Sequence, residues 1–184
     1  GPASPGVEVL YESLTTRVTR KRLPAGSVIC KEPIGADAAR RLRHEAAVLA
    51  RLAGCAGVAA LAPGALAPGV LALQDSGGAA LADSLRGGPL EPDRLLQLAA
   101  ALARCVAAMH GAGVLHRDIC PANIVLTASG EPLLIDFDLA LPDDMEAGDV
   151  SSQDSMVGTL AYLPPEQTGR TGRAVDRRSD LYAL

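Results

Sequence analysis

Tryptophan is missing from this 184-residue sequence, phenylalanine occurs once, and aromatics make up 2% of a chain that is 48% hydrophobic. The core therefore has to be built from Ala, Leu and Val, and because Ala and Leu have the best intrinsic helix propensities, such a core favours helices. Long apolar runs are missing as well. Arg, Asp, Gly and Pro interrupt the Ala-rich stretches before about eighteen apolar residues accumulate, and no basic-then-apolar start reads as a signal peptide. No membrane contact is expected of this stretch.

Paired cysteines are the next absence. Cys30, Cys55, Cys105 and Cys120 stand far apart with no Cys-x-x-Cys pair, which argues against a zinc site and a disulfide framework. A reducing, cytoplasmic compartment is the simpler expectation. No basic cluster is longer than Arg20-Lys21-Arg22, and 17 basic against 21 acidic residues give a formal charge of -4, so nucleic acid is not an expected partner.

The length suits one domain with a sizeable core or two small lobes sharing a cleft, and one bilobal unit is the default. The chain starts with Gly1 and ends inside an apolar pattern at Leu181-Tyr182-Ala183-Leu184, so both ends read as cuts. From Val7 to Lys31, alternating and β-branched residues around a Pro24-Ala25-Gly26 turn predict an antiparallel meander. Ala38, Leu42, Glu45, Val48, Leu49 and Leu52 recur at three-to-four spacing between arginines, which predicts an amphipathic helix over 37–52 with Glu45 near its apolar face. Val58 to Leu61 and Gly69 to Leu73 read as strands closing a small sheet.

Gln74 to Gly78 is a polar, Gly-rich break and the best domain boundary in the chain. Beyond it the pattern predicts a short helix from Ala79 to Arg86 and a long one from Asp93 to His110. The long helix opens at Pro92, and its apolar residues on most faces predict burial. Two short strands, Ile124 to Leu126 and Leu133 to Ile135, follow a loop from Val114 to Asn123.

That loop holds the strongest chemical signal, His116-Arg117-Asp118-Ile119-Cys120-Pro121-Ala122-Asn123, with Ile135-Asp136-Phe137-Asp138 after the second strand. Two carboxylates and an amide thus stand on loops at strand ends. Phosphoryl transfer needs a group that orients the attacking hydroxyl and oxygen ligands that hold magnesium on the phosphates; Asp118 suits the first task, Asn123 and Asp136 the second.

With Gly158-Thr159-x-x-Tyr162-x-x-Pro165-Glu166 downstream, the ordered set resembles the eukaryotic-type protein kinase family. The run from Gly158 to Arg170 looks like the kinase-like domain of large bacterial multi-domain sensor kinases. The resemblance implies an α+β, bilobal protein-kinase-like fold. In it, residues 1–73 form a small β-rich N-lobe with one helix, 74–78 a hinge, and 79–184 a C-lobe that stops before its central helices and leaves apolar surface exposed. It implies ATP and Mg2+ as cofactors, with Lys31 on the nucleotide's α and β phosphates and Glu45, fourteen residues on, as its ion-pair partner. Val18 and Val125 would cover the adenine from two sides, and Leu73, Gln74 and Ser76 would belong to the hinge that meets its edge. Asp180 resembles the aspartate that braces the catalytic loop, although a helix N-cap explains that residue equally well. A protein bearing serine or threonine would be the substrate, with signalling domains attached downstream.

The sequence departs from the family's pattern at three places. Tyr11 to Arg20 contains no glycine, where the family's loop uses glycines to let backbone amides approach the phosphates. Cys120 stands where serine/threonine kinases usually carry a lysine that neutralises the transferred phosphate, and Asp138 replaces a glycine. These departures keep two other readings open: a pseudokinase-like ATP-binding module that acts as a switch, and a small-molecule phosphotransferase. The segment from Asp136 to Glu166 would be the activation loop, with Arg117 suited to a phosphate on Ser151, Ser152 or Ser155, or with Asp149 and Asp154 as permanent charge.

Overall fold

Alternation in the first thirty residues does its expected work. Val7–Glu12 (β1), Thr16–Leu23 (β2) and Gly26–Pro33 (β3) form an antiparallel meander, and Leu71–Gln74 (β4) adds to β3 to complete a four-stranded sheet in the order β1-β2-β3-β4. These elements come from a computed structural model that describes residues 6–24, 26–64, 67–143, 158–168 and 173–184. Ser151, Ser152, Ser155, Asp149 and Asp154, and Gly169 with Arg170, lie outside the described residues. The chain divides into two compact units, Gly1–Ala53 with Ala59–Ser76, and Gly54–Val58 with Gly77–Leu184.

In the first unit, the β1–β2 connection turns without glycine. The Ser13 hydroxyl accepts the N–H groups of Thr15 at 3.2 Å and Thr16 at 3.0 Å, so a side chain stands in for a backbone turn bond. Ala36–Arg51 (α1) packs on β3 and β4 with Ala38, Leu42, Val48 and Leu49 buried, the face that the sequence spacing marks. The stretch from Val58 to Leu61 departs from expectation. Leu61 makes only an isolated bridge to Leu73, Val58 belongs to the second unit and makes one there to Leu134, and the regular strand is confined to Leu71–Gln74. Short apolar runs next to Pro and Gly do not specify a ladder, and here Pro63, Gly64 and Gly69 keep the pairing local.

Near the start of the second unit, Gly57 has a φ of 75° and no room for a side chain: a Cβ there would lie 2.0 Å from Cys105 Sγ. Ala79–Ala80 (β5) is a strand rather than the first turn of a helix, because it pairs with Leu126 and Val125; the helix proper is Leu81–Leu85 (α2). Pro92–Gly111 (α3) follows, with Pro at its start and Leu98, Leu102, Cys105, Val106 and Met109 buried. The expectation that this helix is buried holds for one face. One face of α3 packs, while Leu95 and Leu96 are 52% and 68% exposed, because among the described residues only that one face finds partners.

Val114–Leu115 (β6) leads into the loop that carries Asp118, and Ile124–Leu126 (β7) and Pro132–Leu134 (β8) form the hairpin after it. The sheet order is β5-β7-β8, and Leu141–Pro142 (β9) pairs back with β6. Arg177–Tyr182 (α4) ends the chain, its Asp176 N-cap and Ser179 forming a reciprocal capping box. The cap of this helix is thus Asp176, and Asp180 is an interior residue with another task. Antiparallel strands with one helix in the first unit and helices around short hairpins in the second give the α+β class expected. Among the described residues, no helix is long and apolar enough to cross a membrane.

Candidate active site

The first unit brings Lys31 and Glu45 together. Register places Lys31 on β3 across from Val18 on β2 and Leu71 on β4, and α1 presents Glu45 so that Lys31 Nζ donates to Glu45 Oε1 at 2.6 Å. The two side chains are 8% and 1% exposed. Burying such a pair costs several kcal/mol of desolvation that mutual attraction hardly offsets, so stability alone is a poor reason for it to be here. Val18 is half-buried, Leu73 is buried, Gln74 is exposed and Ser76 half-buried. The N–H of Gln74 donates to Ala60 O at 2.9 Å, and its side-chain amide to Leu61 O at 3.3 Å. Sequence reading missed the residue between them. Asp75 accepts from Ser27 Oγ and from Arg20 Nε, each at 2.7 Å, tying the end of β4 to β2 and β3. The Asp75 hydrogen bond raises the Arg20 pKa above the ordinary guanidinium value.

In the second unit, Asp118 is half-buried and both of its carboxylate oxygens have donors. Oδ2 accepts from Asn123 Nδ2 at 2.8 Å, and Oδ1 accepts the backbone N–H of Thr159 at 2.7 Å. Asn123 Nδ2 also donates to Asp118 O at 2.9 Å. With the NH2 end of the planar amide so engaged, the bonding pattern assigns Asn123 Oδ1 to the opposite side. The N–H of Ile135 donates to Asn123 O at 3.0 Å, which sets Asp136 beside this loop. Asp136 has a φ of 67° and Arg117 one of 69°, left-handed conformations that a non-glycine residue holds only when its surroundings impose them. Val125 is half-buried in β7, paired with Ala80 and Leu133.

Three buried side chains fix the loop. His116 Nδ1 accepts the N–H of Asp118 at 3.3 Å, so its Nε2 carries the hydrogen donated to Ile135 O at 3.1 Å, and its ring tilts against Phe137 with centroids 4.6 Å apart. Asp180 accepts the N–H of His116 and of Arg117, and Gln167 donates to Arg117 O. The resemblance pointed to Asp180; Gln167 lies within the run from Gly158 to Arg170, but sequence reading gave it no role. Downstream, Thr159 Oγ1 donates to the buried Cys120 Sγ at 3.5 Å, and Ser179 Oγ to Glu166 Oε1 at 2.6 Å. Burial pushes the Cys30 and Cys105 thiols up, which makes both poor nucleophiles.

The donor set bears on which metal suits the loop. Among the described residues no cluster of three or more His, Cys, Asp or Glu could hold an ion. An amide oxygen and one or two carboxylates are hard donors and suit Mg2+, which takes few protein ligands and completes its shell with water and phosphate oxygens. Asn123 and Asp136 fit that description.

The model of the protein kinase domain matches residues 16–184. Over 97 residues the chain is 44% identical to a probable serine/threonine-protein kinase, PkwA, of Thermomonospora curvata, an alignment covering 53% of this chain and 12% of that protein. It is 40% identical over 111 residues to serine/threonine-protein kinase pkn2 of Myxococcus xanthus, covering 58% and 13%. With serine/threonine-protein kinase PknB of Mycobacterium tuberculosis the identity is 35% over 97 residues, covering 53% and 15%. The matched stretch is thus a small part of each relative's own length. The ordered loop, its asparagine and carboxylates, the buried lysine–glutamate pair and the family match agree: the chain belongs to the protein kinase family.

Proposed function

We propose that this chain carries the nucleotide-binding and phosphoryl-transfer groups of a serine/threonine protein kinase that moves the ATP γ-phosphate to a protein hydroxyl in bacterial signal transduction. The observation that supports this most is Asp118, a half-buried carboxylate held on one oxygen by Asn123 and on the other by Thr159 N–H. So held, it is aimed without further reorganisation, and it keeps lone pairs for the substrate hydroxyl. Asp118 orients that hydroxyl and accepts its proton as the bond to phosphorus forms and the bond to the ADP oxygen breaks.

Lys31, kept in place by Glu45, binds the α and β phosphates. Asn123 Oδ1 and Asp136 are the ligands for Mg2+, which supplies charge neutralisation on the phosphates. Val18 and Val125 contact the adenine, and Leu73, Gln74 and Ser76 meet its edge. In this reading residues 1–73 are the N-lobe, 74–78 the hinge and 79–184 part of the C-lobe. Serine or threonine specificity draws support from the names of the relatives, and attached downstream domains from the 12–15% of those relatives that the alignments occupy. A cytoplasmic location goes with that role.

A second reading, a nucleotide-binding switch with little transfer, is favoured by Cys120. Its thiol is buried and occupied by Thr159, and it offers the γ-phosphate no cation. The test is to give the full-length protein labelled MgATP together with a generic protein and a panel of small hydroxyl compounds. Label on protein serine or threonine supports the kinase, nucleotide binding without any label supports the switch, and label on small hydroxyls alone overturns the protein substrate.

A further inference from the structure

We propose that Gln167 is a positioning residue for phosphoryl transfer, acting through the backbone of Arg117 on Asp118; the proposal rests on the role given above to Asp118. Gln167 is 1% exposed, and a primary amide so deep in the protein costs free energy unless it is hydrogen-bonded. Its Nε2 donates to Arg117 O at 2.9 Å. That carbonyl belongs to the peptide joining Arg117 to Asp118, so its direction sets where the Asp118 carboxylate emerges.

Arg117 itself sits at a φ of 69°, a conformation that costs a non-glycine residue about 1 kcal/mol or more and has to be imposed. Two sets of bonds impose it from opposite sides. Asp180 takes the N–H groups of His116 and Arg117 at 2.9 and 2.8 Å, fixing the peptide before Arg117. Gln167 fixes the peptide after it. Both braces come from one place, because Ser179, next to Asp180 on α4, donates to Glu166, next to Gln167. Gly158 crowds the same carbonyl, where an added Cβ would lie 3.1 Å from Arg117 O. Loss of the Gln167 donor leaves a buried carbonyl with less hydrogen bonding and lets that peptide rotate, which moves Asp118 without touching any ligand.

The experiment compares Gln167→Leu and Gln167→Glu with wild type and Asp118→Asn in the full-length protein, measuring transfer from MgATP to protein as a function of pH. Gln167→Leu lowers kcat about tenfold and leaves KM for ATP within about twofold, since a small misplacement of a reacting group costs rate and not nucleotide binding. Gln167→Glu can donate to Arg117 O only while its carboxyl is protonated. Its kcat therefore approaches wild type at the low end of the pH range and falls as pH rises, through an ionisation that wild type and Gln167→Leu lack. This variant, read at low pH, is also its own folded control should Gln167→Leu fail to fold. Wild-type kcat in Gln167→Leu, or a Gln167→Glu profile that follows wild type, overturns the proposal while Asp118-dependent transfer stands. Transfer that is absent, or that survives Asp118→Asn, overturns the kinase reading and this proposal with it.

Discussion

The carboxylate of Asp180 accepts the backbone N–H of Arg117 at 2.8 Å on one oxygen, and on the other the N–H of His116 at 2.9 Å and His110 Nε2 at 2.8 Å. A single buried charge from α4 thus holds two consecutive amides of the loop and one side chain of α3. Asp180→Asn removes the charge and turns an NH2 group toward donors. Hydrogen bonds to a charged acceptor are worth about 1.5–3 kcal/mol each, so the substitution is expected to cost about 3 kcal/mol in urea unfolding and to reduce transfer. Unchanged stability would contradict the bracing.

The Lys31–Glu45 pair is the second such relationship. Glu45→Gln is expected to destabilise the first unit by about 3 kcal/mol, since it takes the negative charge from a fully buried site facing an ammonium. Replacing both residues, as in Lys31→Met with Glu45→Leu, is expected to recover much of that stability and no nucleotide affinity. Measured by unfolding and by ATP binding together, this double substitution separates what the pair does for the fold from what it does for ligand.

Gly158 sits at a φ of 118° with Arg117 O and Leu163 Cδ1 each 3.1 Å from where a Cβ would be. Gly158→Ala is expected to cost about 1–3 kcal/mol and to displace Thr159 from Asp118. The readout is kcat for protein substrate, which falls while ATP binding holds. Equal loss of both would place the effect elsewhere.

Acid should loosen α4 before the rest of the second unit. Hydrogen bonding from Arg178 holds the Asp176 carboxyl below the ordinary carboxylate value. A lowered native pKa contributes stability that is fully present above the unfolded value, near pH 4, and is lost as pH falls through the native one. Asp176→Ala removes the N-cap, costs about 1 kcal/mol at neutral pH and flattens this acid dependence. Stability measured from pH 7 downward checks the sign.

Helix α1 was legible because one residue face repeats without interruption from Ala38 to Leu49, and the loop around Asp118 because its chemistry needs fixed residue types at fixed spacing. The strand at Ala79 was not legible. Its two alanines have helical propensity, and only pairing with Val125 and Leu126 makes them extended. Asp180 could be read as a cap or a brace from sequence, and what decides between them is Asp176, four residues earlier, taking the cap. Gln167 had no signal of its own, since a glutamine after Pro-Glu is unremarkable until burial and the turned peptide of Arg117 give it a partner. The exposed leucines of α3 show the converse limit, because apolar character all round a helix marks what can be buried and not what is.

The central claim is that Asp118 orients a protein hydroxyl for attack on ATP. Its most direct test is transfer of labelled γ-phosphate by the full-length protein to itself and to a generic protein, run beside Asp118→Asn with MgATP affinity measured on both. The account predicts label on serine or threonine in the wild type and its loss in Asp118→Asn, with affinity kept. Equal labelling by the two proteins would contradict it.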